Sequence, residues 1–269
     1  MIEWSVSPTI FPGFFVRWYG LWFAMGFYIS WQCLLRIFLR EGRTEADVSS
    51  LLNYTIIGTF LGARLGHCLL YNPDFYLNHP LELIKIWKGG LASHGGYLGL
   101  MIAFWLYLRT VPGMTMLQLL DRTGPAALLT GGFIRIGNLF NSEMIGLPTT
   151  KPWSFVFTRY DLVPRHPAML YEAFGYLFIG VSGILYLFRG RRQLPEGRII
   201  GLIFIFGMLW RFFCEFFKTD QAGFESGWAL NMGQWLSLPF MIFGLLLVFS
   251  VPSKLGWNFL TRPRMQLKA

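Results

Sequence analysis

Seven apolar stretches, each long enough to cross a lipid bilayer, dominate this chain of 269 residues. A transmembrane helix needs about 20 mostly apolar residues, so seven helices with short connections use most of the chain. Only 14% of the residues are charged, whereas soluble domains carry about 25%, and this difference argues against a soluble globular protein. The predicted spans are 18–38, 51–71, 91–109, 116–139, 168–188, 199–217 and 232–251.

The sequence therefore predicts an all-α polytopic membrane protein, built as a single membrane-embedded domain over residues 1–269. If the first loop is cytoplasmic, the cytoplasmic side carries 12 lysines and arginines and the outer side carries 7. The positive-inside rule then places the N-terminus outside and the C-terminus inside. Segment 73–88 mixes apolar and charged residues, which predicts an interfacial helix. The longest connection, about 141–167, predicts a small external head.

Several protein classes are disfavoured by what the sequence lacks. The three cysteines lie in apolar runs without a CxxC spacing, which indicates neither a disulfide framework nor a zinc site. No metal-binding, P-loop or GxSxG motif is present, so no metal and no cofactor are expected. The net charge of +9 does not indicate a nucleic-acid partner, because no basic face is interleaved with exposed aromatic residues.

Charged and polar residues within the predicted spans should lie at one depth, in the outer half of the membrane. A charge at the centre of a lipid-facing helix costs about 2.5–3.5 kcal/mol on insertion scales, so each one needs a partner, a cavity or a function. Pairs spaced i, i+3 or i, i+4 share a helix face. The residues at this depth are Tyr19, Arg64, His94, Arg135, Asn138, Arg211 and Glu215.

Each of these residues also has a structural explanation when it is considered alone. Arg211 could pair with Glu215, His94 could be an interfacial histidine beside a turn, and Asn138 and Asn141 could bond helices together. Those explanations leave the shared depth unexplained. Three guanidinium groups near one histidine indicate an anion, because the planar donor fork of arginine matches phosphate. In the outer leaflet the abundant anion is a phospholipid headgroup.

Six segments, in order along the chain, resemble signatures of the prolipoprotein diacylglyceryl transferases. The resemblance extends from Trp18 to about Val248, which is nearly the whole chain. The segments are 17–20 (RWYG), 62–66 (GARLG), 89–96 (GGLASHGG), 135–143 (RIGNLFNSE), 165–172 (RHPAMLYE) and 211–217 (RFFCEFF).

The resemblance implies a multi-pass enzyme of the bacterial inner membrane with its active site toward the outer leaflet. Such an enzyme transfers the diacylglyceryl group of phosphatidylglycerol to the lipobox cysteine of prolipoprotein signal peptides and releases glycerol phosphate, the first step of lipoprotein maturation. By motif, the catalytic residues are Arg135, which holds the lipid phosphate, Arg211, which assists it, and His94, which serves the thiol. The implied substrate-binding residues are Arg135, Arg64, Tyr19, Asn138, Asn141, Glu143, Gly146 and Glu215.

The residue chemistry is compatible with this activity, and two other classes remain as alternatives. A thiol with a pKa near 8.5 needs a base such as histidine at neutral pH, and a departing phosphate needs fixed positive charge. A phospholipid-binding transporter or flippase would carry polar residues through both membrane halves, whereas the inner half has only Asp121 and Arg122. A membrane scaffold would not need arginines at a common depth. A covalent route through Cys68, beside His67, is a weaker possibility.

Overall fold

The computed structural model describes residues 1–11, 16–71, 73–85, 89–189, 195–219 and 229–249 of the chain. Helices account for most of these residues. The α-helices are α1 (Trp18–Arg40), α2 (Glu45–Leu70), α3 (Pro73–Asn78), α4 (Ser93–Thr110), α5 (Met116–Asn141), α6 (Ala168–Arg189), α7 (Arg198–Glu215) and α8 (Met232–Phe249), and a 3₁₀ helix covers Pro80–Ile84.

The long helices lie where the sequence predicts spans. Three of them, α1, α6 and α8, are long and apolar enough to cross a membrane. The other long helices are more polar; α5, for example, contains Asp121, Arg122 and Arg135. That all seven cross the membrane therefore stays a prediction. Outside the described residues lie the end of the seventh predicted span (250–251) and seven basic residues used to orient the chain: Lys88, Arg191, Arg192, Lys254, Arg262, Arg264 and Lys268.

The described chain forms two compact units. The first comprises the described residues of Met1–Ile37 and Leu120–Lys254, and the second lies within Phe38–Leu119. In the first unit α7 packs against both α6 and α8. A Cβ on Gly175 would lie under 3.0 Å from the indole of Trp210, and the Trp210 Nε1 donates to the Tyr171 carbonyl at 2.8 Å. This contact brings the first turns of α6 beside the C-terminal half of α7.

The second unit is built on the pair α2 and α4. Thr44 and Asp47 form a capping box that starts α2, and reciprocal bonds of this kind satisfy the free amide groups of a first helical turn. Farther along, glycines of the two helices meet: a Cβ on Gly62 or Gly99 would lie under 3.0 Å from backbone atoms of the opposite helix. Small residues at such spacing allow helices to pack backbone to backbone.

The predicted interfacial helix over 73–88 is interrupted. Residues Pro73–Asn78 form α3 and Pro80–Ile84 form a 3₁₀ helix, with His79 in a non-helical conformation between them. Proline lacks an amide hydrogen and disfavours the α conformation in the residue before it, so Pro80 ends the first helix. Both pieces contain no buried residue. Residues 86–88 of this prediction lie outside the described residues.

The all-α prediction missed a small sheet. Strand β1 (Ile2–Trp4) pairs in parallel with β2 (Phe155–Phe157), which pairs antiparallel with β3 (Pro164–Arg165). Its strands have only two or three residues, too few for an alternating pattern to be recognised. Apolar side chains of β2 pack on the end of α5 and the start of α6, forming a cluster of Leu139, Ile145, Phe155, Phe157 and Met169.

Candidate active site

Arg135, on the last turns of α5, is held from two directions. Its Nη1 donates to Asn138 Oδ1 at 3.2 Å, so the predicted shared helix face is confirmed. Its Nε lies 2.7 Å from Glu172 Oε2 of α6, with side-chain exposures of 16% and 0%. That contact is an ion pair without the alignment of a hydrogen bond, because Oε2 has no hydrogen-bond partner among the described residues. The Nη2 group of Arg135 likewise has no hydrogen-bond partner within the described ranges, which leaves this end available to an anion.

The chain after Arg135 turns back on itself to present Glu143. Asn138 Nδ2 donates to Glu143 Oε2 at 2.8 Å, and Asn141 Nδ2 donates to Glu143 Oε1 at 3.1 Å. Ser142 and Met144, on either side of Glu143, have φ values of 54° and 56°. Left-handed conformations are costly for residues other than glycine and concentrate at functional sites. The strained turn therefore holds a carboxylate and two amides beside Arg135.

Arg211 lies between two acidic side chains and a phenol. Its Nη2 is 3.5 Å from Glu215 Oε1, so the predicted i, i+4 pair is confirmed, and its Nη1 is 3.9 Å from Glu172 Oε1. The Tyr176 hydroxyl of α6 also interacts electrostatically with Arg211. Both ion-pair distances are long, so Arg211 is attracted to these two carboxylates but forms a close ion pair with neither of them.

Lys218 and Glu172 are members of this site that the sequence prediction missed. Lys218 Nζ lies 2.8 Å from Glu172 Oε1 and 2.7 Å from Glu215 Oε1, and all three residues are buried. Asn231 Nδ2 donates to Glu215 Oε2 at 3.3 Å. A signal was available for Glu172, because it is the sole acidic residue of the apolar helix α6, and ionisable residues within apolar spans are usually functional or paired.

Three cations of this cluster converge on two buried carboxylates. Arg135, Arg211 and Lys218 face Glu172 and Glu215 through ion pairs, and Glu143, beside Arg135, brings the region to three positive and three negative side chains. The incompletely bonded guanidinium groups of Arg135 and Arg211 offer an anion fixed positive charge and planar donors. Tyr19 of α1 belongs to the same region: its ring packs on Gly137, and its hydroxyl interacts electrostatically with Glu143 and Arg135.

Gly146 lies where two chain segments meet. Its amide donates to the His166 carbonyl at 3.0 Å, and a Cβ there would lie under 3.0 Å from backbone atoms of His166 and Phe217. The His166 Nδ1 is 3.0 Å from the Tyr171 hydroxyl. Burial, and then the charge of Lys151, lowers the pKa of His166. Gly146 thus joins the turn after α5 to the segments beside α6 and α7 by a close backbone contact.

Arg64 belongs to the second unit, where its guanidinium is saturated by backbone carbonyls. Its Nε donates to Leu83 O at 2.8 Å, its Nη1 to the carbonyls of Gly89 and Gly90 at 2.6 and 3.2 Å, and its Nη2 to those of Glu82 and Lys85 at 2.5 and 3.4 Å. Direct binding of substrate by Arg64 stays a prediction, and it would require one of these bonds to break.

His94 is the second residue of α4 and is exposed. Its ring has no hydrogen-bond partner among the residues that the structure describes. Ala92, the N-cap of α4, donates its amide to the Ala63 carbonyl at 2.9 Å, so α2 fixes the start of this helix. Cys68, considered for a covalent route, is fully buried. Among the described residues no group of three His, Cys, Asp or Glu side chains could hold a metal ion.

Comparison with known proteins places nearly the whole chain in one family. The family model described as prolipoprotein diacylglyceryl transferase matches residues 6–250. Proteins named phosphatidylglycerol–prolipoprotein diacylglyceryl transferase from Chloroherpeton thalassium and Tolumonas auensis are each 45% identical over 250 residues, covering 92% of this chain and 93% and 96% of the relatives. The protein of that name from Bacteroides fragilis is 41% identical over 263 residues, covering 92% of this chain and 94% of the relative. With a match of this extent, and with the arginine and carboxylate cluster described above, the chain belongs to the prolipoprotein diacylglyceryl transferase family.

Proposed function

We propose that this protein transfers the diacylglyceryl group of phosphatidylglycerol to the thiol of the lipobox cysteine of prolipoproteins. In this reaction the thiolate sulfur attacks the glycerol carbon that bears the phosphate ester. A carbon–sulfur bond forms and the carbon–oxygen bond breaks. The electron pair of the broken bond leaves with glycerol phosphate. The observation that carries the proposal is the convergence of Arg135, Arg211 and Lys218 on the buried Glu172 in a chain of this family, with one end of Arg135 left unbonded in the described chain.

Arg135 and Arg211 are proposed to bind the lipid phosphate. The free Nη2 end of Arg135 offers two donors, and the long ion-pair distances of Arg211, 3.5 and 3.9 Å, leave it able to move toward an anion. As the carbon–oxygen bond breaks, negative charge grows on the departing phosphate. Fixed cations in a water-poor site stabilise that charge and lower the barrier. Glu215 keeps Arg211 in place during this step.

The polar turn after α5 is proposed to contact the rest of the lipid headgroup. Asn138, Asn141 and Glu143 offer amide donors and a carboxylate acceptor next to Arg135, and hydroxyl groups of a glycerol can bond to both kinds of group. Tyr19 would bind at the same place through its hydroxyl. Gly146 would contribute by holding the turn in position, since its backbone contacts leave no room for a side chain.

His94 is proposed to accept the proton of the attacking thiol. The imidazole is exposed on the first turn of α4, and no residue of the described chain is hydrogen-bonded to it. A neutral imidazole can take the proton that most thiols retain at neutral pH. Arg64 would support this step by ordering the segment that leads to α4. No metal or cofactor takes part in the proposed step.

The proposed setting is the bacterial inner membrane. Seven spanning helices with the N-terminus outside would form a single membrane-embedded domain, with the active site toward the outer leaflet. Three strongly apolar helices support the membrane character, and the charge distribution of the loops supports the orientation.

The test uses purified protein in proteoliposomes containing phosphatidylglycerol, with a lipobox peptide as acceptor. We expect the mass of the peptide to increase by one diacylglyceryl group, with an equal amount of glycerol phosphate released. A peptide in which serine replaces the lipobox cysteine is the matched control and should stay unmodified. Binding or movement of lipid without any change in the peptide would support the phospholipid transporter and contradict the proposed enzyme.

A further inference from the structure

Glu172 occupies a central place in the charged cluster of the first unit. Its side chain is fully buried, and its two oxygens face different partners: Oε2 is 2.7 Å from Arg135 Nε, while Oε1 is 2.8 Å from Lys218 Nζ. Arg211 Nη1 lies 3.9 Å from the same Oε1. One carboxylate of α6 therefore contacts cations from α5, from α7 and from the turn after α7.

The two ends of Arg135 are used differently. Its Nε side contacts Glu172 and its Nη1 bonds to Asn138, whereas its Nη2 has no hydrogen-bond partner in the described part of the chain. A guanidinium is planar and rigid, so fixing Nε fixes the direction of the opposite end. Glu172 consequently determines where the free donors of Arg135 point.

We propose that Glu172 is a positioning residue for the transfer reaction: it aims the free end of Arg135 at the lipid phosphate, and Lys218 balances its charge. This inference rests on the proposed function. Lys218 pairs with Glu172 Oε1, so the carboxylate is held on one side while its Oε2 faces Arg135.

A purely structural role makes a different prediction. A buried carboxylate could be retained only to neutralise buried cations, and its removal would then destabilise the fold through unpaired charge. In that case any substitution that restores the charge balance should restore activity. A positioning role requires the carboxylate itself, because the neutral amide oxygen of glutamine holds Arg135 Nε far more weakly than a carboxylate does, whatever the charge of its neighbours.

The first experiment compares Glu172→Gln with the double variant Glu172→Gln/Lys218→Gln, which returns the cluster to its wild-type net charge. We expect the single variant to have a lower unfolding temperature and the double variant to recover most of it. In both, kcat/KM for phosphatidylglycerol should be reduced on the order of 10²-fold, because small misplacements of a binding group cost about this much. A double variant that regains wild-type kcat/KM would overturn the proposal.

The second experiment places Glu172→Gln in an Arg135→Gln background, where the cluster again has its wild-type net charge. If Glu172 acts through Arg135, its substitution should cause no further loss of kcat once Arg135 is gone, since effects on a shared interaction are not additive. If the two losses multiply, Glu172 acts independently of Arg135 and the proposal is wrong.

Two further variants control for a general loss of stability and for a failure to fold. Asp121→Asn is the matched control, because Asp121 is another buried carboxylate and accepts hydrogen bonds from the amides of Gly197 and Ile200 at the α7 N-terminus; it should lower stability without changing kcat/KM of the folded protein. If the glutamine variants do not fold, Glu172→Asp keeps the charge but shortens the side chain. A folded Glu172→Asp protein with wild-type kcat/KM would overturn the proposal, and a reduction of tenfold or more would support it.

Wild-type transfer is measured first in the same assay. Absence of transfer by the wild type would contradict the proposed function itself. Wild-type transfer together with unimpaired Glu172 variants would contradict only the role of Glu172.

Discussion

Two arginines of this chain, the buried Arg64 and the partly buried Arg135, are used in opposite ways. Arg64 donates through all three of its nitrogens to five backbone carbonyls, so its desolvated charge is compensated within the protein. Arg135 is compensated by Glu172 on one side and keeps a free end on the other. The unused donors of Arg135 can bind an external acceptor without breaking a bond within the protein, which makes Arg135 the better anion ligand of the two.

Substitution of Arg135 tests that distinction. Arg135→Gln should reduce transfer by about 10²–10³-fold, the usual loss for one oxyanion-type donor. Arg135→Lys should recover only part of the rate, because a point charge lacks the planar fork. Arg109→Gln is the control, since that guanidinium lies over the Trp105 ring at the C-terminal end of α4. Near-normal transfer by folded Arg135→Gln would remove this residue from the mechanism.

The role of His94 can be read from a pH series. If His94 accepts the thiol proton, its substitution should slow transfer most at the pH values where the peptide thiol is itself protonated. His94→Gln should lose most activity at neutral pH and recover part of it at higher pH, where the peptide thiol ionises near its own pKa of about 8.5.

The matched control for this series is His79→Gln, because His79 is an exposed histidine stacked on Phe75 in the same unit. It should keep the wild-type profile. Should His94→Gln also follow that profile at a similar rate, thiolate formation would have to depend on other groups.

His166 should make stability depend on pH in a defined window. Burial lowers its pKa in the folded protein, whereas an unfolded histidine titrates near 6.5. Below about pH 6.5 the unfolded chain then binds more protons, so the free energy of unfolding decreases as the pH falls toward the folded-state pKa. In His166→Gln, the unfolding temperature should depend less on pH between pH 7.5 and 5.5 than it does in the wild type. An unchanged slope in that variant would exclude His166 as its cause.

Residue pairs close in sequence were predictable, and pairs distant in sequence were not. The Arg135–Asn138 and Arg211–Glu215 contacts follow from helical spacing alone. The contact between Arg135 and Glu172 depends on how α5 and α6 pack, which spacing within one helix does not determine. The carbonyls around Arg64 belong to residues 82, 83, 85, 89 and 90, whose positions no periodic sequence pattern predicts.

At the scale of elements, helices were predicted well because long apolar runs determine them. The observed α5 and α6 begin at the predicted residues, Met116 and Ala168. The sheet was missed because β1 pairs with β2, about 150 residues later in the chain, through only three residue pairs. Pro80 indicates an interruption in the predicted interfacial helix, whereas composition alone favoured a continuous helix.

The glycine contact between α2 and α4 gives a matched test on one helix. A Cβ on Gly99 would lie under 3.0 Å from the Gly58 carbonyl, whereas a Cβ on Gly96 would be 3.5 Å from the Ala63 Cβ, an ordinary contact. Gly99→Ala should destabilise the protein by about 1–3 kcal/mol, as overpacking does, and Gly96→Ala should be tolerated. Thermal unfolding in detergent measures both. Equal unfolding temperatures for the two variants would show that α2 and α4 can separate without cost.

At the scale of the whole molecule, the number of spans and their orientation can be tested together. Residues Ala46 and Thr150 are both exposed, and the predicted spans α2, α4 and α5 lie between them. An odd number of crossings puts two positions on opposite sides of a membrane. The charge distribution predicts Ala46 on the cytoplasmic side and Thr150 outside.

Single cysteines at these two positions would show the topology. In a background without Cys33, Cys68 and Cys214, Thr150→Cys should react with an impermeant thiol reagent in intact cells. Ala46→Cys should react only after the membrane is permeabilised. The reverse pattern would mean that the orientation is inverted while the odd number of crossings holds. Labelling of both positions from the same side would mean an even number of crossings, so that either one of the three helices or all three fail to cross the membrane. The first candidates would be α2 and α5, because each carries charged residues along its length.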